Sequence, residues 1–170
     1  MGLQQEFKTL FIEHEKCNGC RICELRCSFA HERLFSPELA RIHVVKWELD
    51  AIDVPVACRQ CVDAPCMAVC PTEAISRHPE TNAIIVDEEK CIGCKMCVIA
   101  CPFGAMQMHP VTNKAITCDL CGGDPQCVKY CPENAIHYMT PSEYVAYRRK
   151  EKTKKLVGKK EKRSPIPQAS

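Results

Sequence analysis

Residues 91–102 read CIGCKMCVIACP, a run in which four cysteines have the spacing C-x2-C-x2-C-x3-C and a proline follows the last of them. Residues 17–27 repeat this spacing, with Ser28 in the place of the proline. Two further groups, within residues 58–71 and 118–132, have a longer gap between the second and third cysteines and also end in Cys-Pro. The four groups use all sixteen cysteines of the 170-residue chain.

The spacing within each group has a mechanical meaning. Three thiolates close together in sequence wrap a short loop around one face of a metal cluster, and Gly19 and Gly93 give that loop the tight backbone it needs. The proline after the fourth cysteine turns the chain in a new direction. In two-cluster bacterial ferredoxins, this fourth cysteine binds the other cluster. The four groups therefore predict four iron–sulfur clusters, and four [4Fe–4S] cubanes are the expectation.

Composition agrees with a fold that depends on metal. Hydrophobic residues make up 46% of the chain, but this figure includes the cysteines, and aromatic residues make up only 6%. Such a composition provides few apolar side chains for a core that would be stable without metal. Cluster binding would supply the missing folding free energy. Residues 1–16 contain no apolar segment typical of a secretory signal, and no run is long enough to cross a bilayer. We expect a reducing, cytoplasmic location, where disulfides are disfavoured.

Zinc is the main alternative to iron–sulfur clusters, because C-x2-C pairs also build four-cysteine zinc sites. Zinc ribbons, however, usually separate two such pairs by fifteen or more residues. Three cysteines within seven residues, followed by x3-C-P, favour iron–sulfur clusters. A module with four zinc sites, even one that binds nucleic acid through a basic tail, stays as a remote alternative.

Short repeats after the last cysteine of each group indicate the local structure. Residues 70–75 (CPTEAI) resemble residues 131–136 (CPENAI), and residues 101–106 (CPFGAM) form a looser copy. Each predicts a short turn followed by a short extended piece, and Asn82 suits a turn between two such pieces. Candidate strands are Thr9–Glu13, Ile42–Trp47, Ala83–Val86 and the segments near Ala115 and Ile136. The prediction is a small, loop-rich α+β fold of the ferredoxin-like type, with short strands and short helices.

The order of the groups predicts two interlocked dicluster modules. The second and third groups read as one complete two-cluster ferredoxin, which gives an inner module of residues 55–110. The first and fourth groups lie on either side of it, in an outer module formed by residues 8–54 and 111–139. Residues 1–139 are then the four-cluster body.

Residues 140–170 are expected to form a basic tail. Thr140 and Glu143 make a capping box with Pro141 at the first helical position, which predicts a helix. Ten Lys/Arg and two Glu lie between Arg148 and Arg163, whereas the other residues hold 13 basic and 19 acidic side chains. Beyond Gly158 we expect an extended, partner-dependent segment. The tail is then a solvated end or a docking arm, and the charge asymmetry leads to the hypothesis that it docks the chain onto its catalytic subunit or a neighbouring copy.

The cysteine pattern resembles a known family. The order of the groups, with the longer gap in the second and fourth, is similar to the four-cluster electron-transfer subunits of the dimethyl sulfoxide reductase and formate dehydrogenase type. The resemblance covers Leu10 to about Tyr138. The short length, without a membrane anchor, looks more like the small subunits paired with tungsten aldehyde oxidoreductases and their relatives. Ser28 departs from the pattern, and only a local difference after Cys27 is expected from it.

The resemblance implies ligand sets in which each group gives three cysteines to one cluster and its fourth to another. Carried over to this sequence, the first set is Cys17, Cys20, Cys23 and Cys131, and the second is Cys118, Cys121, Cys127 and Cys27. The third set is Cys58, Cys61, Cys66 and Cys101, and the fourth is Cys91, Cys94, Cys97 and Cys70.

Electron transfer is the function that these features favour. A cubane held by four thiolates leaves no iron open to substrate, so the chain is expected to be a non-catalytic subunit. The expected partner is a catalytic oxidoreductase subunit of anaerobic metabolism with a tungsten or molybdenum pterin. Further copies of the chain or a flavin- or NAD-dependent subunit are additional candidates, and neither nucleic acid nor a membrane is expected. The alternatives are a free polyferredoxin, or the small subunit of a hydrogenase, carbon monoxide dehydrogenase or formate dehydrogenase.

Overall fold

The computed structural model describes residues 6–160, apart from the side chains of residue 155 and of residues 158–160. The rest of the expected extended segment lies outside the described residues. Within this range the chain forms short strands and helices joined by tight turns. The strands are β1 (Thr9–Ile12), β2 (Ile42–Trp47), β3 (Ile52–Ala57), β4 (Ile75–Arg77), β5 (Ile84–Val86), β6 (Gln107–Met108), β7 (Ala115–Ile116) and β8 (Ile136–Met139). The helices are α1 (Ile22–Glu32), α2 (Pro65–Ala68), α3 (Met96–Ala100), α4 (Gln126–Lys129) and α5 (Pro141–Lys160).

The strands form four antiparallel pairs, β2–β3, β4–β5, β6–β7 and β1–β8. The first three pairs are hairpins, whereas the β1–β8 pair joins the two ends of the cysteine-containing region, with Leu10 opposite Tyr138. The small mixed architecture confirms the expectation of short strands and helices. The sequence did not predict β3, which contains Pro55; in a two-stranded sheet proline is tolerated because each strand has a free edge.

Two hairpins are built from the same turn sequence, a repeat that lies between the cysteine groups. Residues 78–83 read HPETNA and residues 109–114 read HPVTNK. The Nδ1 atoms of His78 and His109 each accept backbone N–H groups within their own turn. Asn82 and Asn113 have φ of 56° and 54°. The expected turn at Asn82 is thereby confirmed, and these two histidines are structural.

The core contains few large side chains. Among the described residues, eight of the buried apolar side chains are cysteines and six are alanines. No Phe, Tyr or Trp of this part of the chain is fully buried. Small residues and thiols therefore occupy the places where a typical domain of this size packs aromatic groups.

Ser28 has a larger effect than the local difference expected from it. Without proline after Cys27, α1 continues through the fourth cysteine of its group and ends at Glu32. The hydroxyl of Ser28 is fully buried, donates to the Leu25 carbonyl oxygen at 3.1 Å and accepts the Ser36 N–H at 3.2 Å. A small hydroxyl side chain at this position thus links α1 to the segment that leads into β2.

Helix α5 begins as the capping box predicts. Glu143 accepts the Thr140 N–H at 2.8 Å, and the Thr140 hydroxyl accepts the Glu143 N–H at 3.2 Å. Tyr144 stacks on Phe11 of β1, with ring centroids 4.1 Å apart. The first turns of α5 are therefore packed on the body. Within residues 6–160, no helix has the length and apolar character needed to span a membrane.

Candidate iron–sulfur sites

One cavity combines three cysteines of the third group with one of the second. It is lined by Cys91, Cys94, Cys97 and Cys70, together with Thr72, Ala74, Gly93 and Met108 among others. The turn that carries Cys70 lies across this cavity from the loop of the third group. The four thiols are the members of the fourth expected ligand set.

A second cavity repeats this arrangement at the ends of the cysteine-containing region. It is lined by Cys17, Cys20, Cys23 and Cys131, and Val44, Pro55 and Ile136 supply apolar contacts. The β1–β8 pair brings these distant segments together, because Ile12 lies opposite Ile136. The four thiols are those of the first expected set.

The remaining eight thiols form two groups, and the members of each group are recognised because they raise one another's pKa. Burial raises the pKa of Cys66 to about 11, and the nearby Cys58 and Cys101 contribute. Cys58 in turn has its pKa raised by burial and by the neighbouring Cys61 and Cys101. These four residues are the third expected set.

The thiols of the second expected set also raise one another's pKa and therefore lie close together. Burial raises the pKa of Cys127, and the neighbouring Cys27 and Cys121 raise it further. Burial and the same Cys27, together with Cys127, hold the pKa of Cys118 well above its usual range. In the absence of metal such buried thiols keep their protons, so binding of a cluster here would release them.

Backbone N–H groups point at the fourth cysteine of each group. Three of these donors lie four residues after their cysteine, at 3.2–3.4 Å from Sγ: Ala74 to Cys70, Ala105 to Cys101, and Ala135 to Cys131. Cys27 lies inside α1 and has no such turn after it; its sulfur accepts the N–H of Arg41 at 3.2 Å instead. The three alanine donors could be predicted from the Cys-Pro-x-x-Ala repeats. The donor role of Arg41 could not be predicted from the spacing of the cysteines.

The backbone before the second cysteine is left-handed in all four groups. Gly19 and Gly93 have φ of 67° and 72°, which confirms the prediction made for these glycines. Gln60 and Leu120 take the corresponding place in the other groups, with φ of 51° and 59°. Such conformations are costly for non-glycine residues, so the loop shape is imposed by what surrounds it.

The donor set fits iron–sulfur clusters. Four thiols converge in each of the two cavities, and amide N–H groups approach sulfur atoms, as cluster sites require. Thiolate is also a ligand that zinc accepts, so the fit rests on the three-plus-one sharing of cysteines between groups. The assignment of individual ligands stays a prediction.

A charged network that the sequence did not indicate lies beside the second set. Asp119 accepts hydrogen bonds from Arg41 Nη1 at 2.8 Å and from the Cys121 N–H at 2.9 Å. The imidazole of His31 lies 3.0 Å from the same carboxylate, through Nε2, and 2.8 Å from the Cys27 carbonyl oxygen, through Nδ1. His31 and Asp119 are thus structural partners of this site. No spacing rule relates residues so far apart in sequence.

Two of the sixteen thiols are exposed, those of Cys20 and Cys94. They belong to the first and fourth sets. Cys20 has polar neighbours, since Asn18 donates to Glu133 at 3.2 Å and Arg21 is 47% exposed. Cys94 has the exposed apolar residues Ile92 and Met96 and the exposed Lys95 as its neighbours in sequence. The two places where sulfur reaches the surface therefore differ in chemistry.

Comparisons with known proteins agree with this picture. A family model described as "4Fe-4S dicluster domain" matches residues 49–140. The polyferredoxin-like subunit of an aliphatic sulfonate oxidoreductase from Pyrococcus furiosus is 42% identical over 147 residues, covering 85% of this chain and 84% of that protein. Electron transport protein HydN of Escherichia coli is 40% identical over 154 residues, covering 76% and 86%. A chain of the active site complex BamBC of benzoyl coenzyme A reductase, in complex with 1,5-dienoyl-CoA, matches with a TM-score of 0.50 at 27% identity, covering 81% of this chain and 78% of that one.

Proposed function

Because the chain belongs to the 4Fe-4S dicluster domain family, as an electron-transfer subunit related to those of oxidoreductase complexes, we propose that it relays single electrons through four [4Fe–4S] clusters. A [4Fe–4S] cluster held by four thiolates supplies one-electron chemistry and leaves no iron site for a substrate. The protein residues hold the clusters and exclude water from them. They also direct N–H groups at the sulfurs, which stabilises negative charge there.

The observation that carries the proposal is the convergence of three cysteines of one group with the fourth of another. Two cavities contain such sets, one with Cys131 and one with Cys70 as the fourth thiol. In a zinc ribbon each of two loops supplies two cysteines, whereas here three cysteines of one loop meet a single cysteine of another, as in two-cluster ferredoxins. The ligand sets proposed are those expected from the sequence.

The contacts between sets support one linear order. Cys23 of the first set raises the pKa of Cys127 of the second, which indicates that these two sets are neighbours. Gln60, in the loop of the third set, donates to the Cys118 carbonyl oxygen at 2.7 Å and thereby joins the second set to the third. Helices α2 and α3 pack together and carry members of the third and fourth sets. We place the first and fourth clusters at the ends of the relay, where Cys20 and Cys94 are exposed.

The same contacts support a nested organisation of modules. The inner module would contain the third and fourth sets together with the β4–β5 and β6–β7 hairpins. The outer module would contain the first and second sets and is closed by β1 and β8. Gln60 lies at the junction, since its Oε1 atom also accepts the Ile84 N–H at 2.7 Å.

The proposed partners are a catalytic oxidoreductase subunit and an external electron carrier, in a reducing cytoplasm. The Pyrococcus relative is named as a subunit of a sulfonate oxidoreductase, and the matching structure is part of a benzoyl coenzyme A reductase complex. These names support a catalytic oxidoreductase partner, and the resemblance of the cysteine pattern is the basis for proposing a tungsten or molybdenum enzyme of the aldehyde oxidoreductase type. Anaerobic purification with identification of the companion chain tests this assignment.

The ligand sets can be tested with a matched pair of variants. We expect Cys131→Ala to disturb the cluster held by Cys17, Cys20 and Cys23, and Cys101→Ala to disturb the one held by Cys58, Cys61 and Cys66. EPR and Mössbauer spectra of the anaerobically purified variants distinguish the two effects. Loss of the same cluster in both variants would refute the proposed sharing.

A further inference from the structure

The first turns of α5 are tied to the loop that holds the first ligand set. Lys16, which directly precedes Cys17, donates from Nζ to the Tyr147 hydroxyl oxygen at 2.7 Å. The next residue, Arg148, donates from Nη1 to the buried carboxylate of Glu13 at 3.2 Å. These contacts place the helix next to one of the sites, whereas the sequence predicted the helix but not its contacts with the body.

The exposed positions of α5 carry cations that face solvent. Tyr144, Tyr147 and Arg148 lie at spacings of three and four residues and are only partly exposed. The remaining cationic side chains described between Arg148 and Lys154 are exposed: Arg149, Lys150, Lys152 and Lys154. At 1.5 Å per residue they extend about 10 Å along the helix from Tyr147. We call these four exposed cations, together with the exposed loop of Cys20, the basic port.

The basic port contrasts with the rest of the molecule. Outside residues 148–163 the sequence has 13 basic and 19 acidic side chains, and each oxidised cluster with four thiolates adds about two further negative charges. An acidic protein is therefore repelled by most of the surface and attracted to α5. The other exposed thiol, Cys94, has an apolar rim that includes Ile99, 79% exposed. The number of exposed cations thus distinguishes the two ends of the proposed relay, with four among the described side chains of α5 and two, Lys90 and Lys95, beside Cys94.

We infer that the basic port is the docking surface of a small acidic one-electron carrier protein, which exchanges electrons with the cluster of the first ligand set. This inference rests on the proposed relay and specifies where one of its partners binds. One electron leaves the reduced carrier and enters the chain at the first set; the carrier is oxidised by one electron and the chain reduced by one. No covalent bond forms or breaks. Attraction between opposite charges gives the fast association that a carrier needs.

Stopped-flow reduction of the full, cluster-loaded chain provides the first test. The probe is a reduced, acidic bacterial ferredoxin, and reduced methyl viologen serves as the small-molecule reference donor. Lys152→Gln/Lys154→Gln is expected to lower the second-order rate constant with ferredoxin about three- to tenfold at low salt, and added salt should shrink the difference. Lys90→Gln/Lys129→Gln removes the same charge elsewhere and should leave this rate within about twofold.

The reference donor separates failure of the inference from failure of the relay. If methyl viologen does not bleach the clusters, the proposed function itself fails. If it does, and the two double variants react equally with ferredoxin, the basic port is refuted as the docking surface.

Carbodiimide cross-linking locates the contact without measuring any rate. The expected cross-links join ferredoxin carboxylates to Lys150, Lys152 and Lys154. Cross-links concentrated at Lys90 and Lys95, beside Cys94, would move the carrier to the opposite end of the relay and overturn the inference.

Discussion

At the scale of single residues, the site of the second ligand set depends on charges that meet only in the folded chain. Asp119 links Arg41, His31 and the N–H of Cys121, and Arg41 also gives its backbone N–H to Cys27. Burial lowers the pKa of His31, but its bonds to Asp119 and to the Cys121 and Cys27 sulfurs outweigh burial and raise the pKa well above 6.5. The imidazolium charge is therefore present throughout the physiological range. Its stabilising contribution is complete below pH 6.5 and is lost only as the pH rises through the raised folded-state pKa.

Asp119→Asn should make the potential of the second cluster depend on pH. Without the carboxylate, the pKa of His31 returns towards its ordinary value, so a positive charge beside the cluster is lost between about pH 6 and about pH 8. The potential should then fall by roughly 30–60 mV over this range, since tenfold in a one-electron equilibrium is about 59 mV. Redox titration followed by EPR measures it. In Asp124→Asn, an equal charge change at an exposed carboxylate, the potential of the second cluster should not depend on pH. A potential that is also independent of pH in Asp119→Asn would contradict the assignment.

Gly93→Ala should damage the fourth site, because a Cβ atom there would lie 2.6 Å from the backbone oxygen of Asn113 at a φ of 72°. The loop that carries Cys91 and Cys94 would have to move, so we expect loss of the fourth cluster's EPR signal. Gly104→Ala is the matched control: its φ is 60°, but the Cβ meets no atom within 4 Å. It should cost only about 1–2 kcal/mol of strain and keep the cluster. Equal damage in both variants would show that backbone strain alone decides the outcome.

At the scale of secondary-structure elements, α5 differs most from its sequence interpretation. The capping box predicted where the helix begins, but not that Tyr144 and Tyr147 hold it on β1 and on the first cysteine loop. Truncation of the chain after Tyr138 would remove the whole of α5. Such a truncation would expose Phe11 and leave the buried Glu13 without Arg148. Removal of residues 152–170 is the cleaner way to delete the exposed lysines.

Tyr144→Ala should release α5 from the body. The variant loses the stacking on Phe11, which we expect to cost about 1–2 kcal/mol. Because local opening governs cleavage, a lysine-specific protease should cut α5 roughly tenfold faster for each 1.4 kcal/mol lost. Val145→Ala, at a position 51% exposed, is the control and should be cleaved like the parent chain. Equal cleavage of the two variants would mean that Tyr144 does not anchor the helix.

At the scale of the whole molecule, the sequence predicted the repeated features and missed the individual ones. Cysteine spacing, the left-handed Gly19 and Gly93, and most strands follow from patterns that recur along the chain. Arg41, Gln60 and Asp119 act across tens of residues, and no periodicity marks such contacts. Strand β3 was missed because Pro55 interrupts its sequence signal.

Removal of the clusters should unfold the chain. Thiols and alanines provide much of the core, and each shared cysteine would join two separate loops through its cluster. After iron chelation under anaerobic conditions, circular dichroism should show loss of the cooperative thermal transition. An apo chain that keeps this transition at an unchanged midpoint would show that the polypeptide folds without metal.

Metal analysis combined with Mössbauer spectroscopy of the anaerobically purified chain tests the central claim, four [4Fe–4S] clusters in one relay, most directly. The account predicts about sixteen iron and sixteen acid-labile sulfide per chain, with all iron in the quadrupole doublets of cubane clusters. A colourless protein with about four zinc per chain, or a brown one with only about eight iron under full reconstitution, would contradict it.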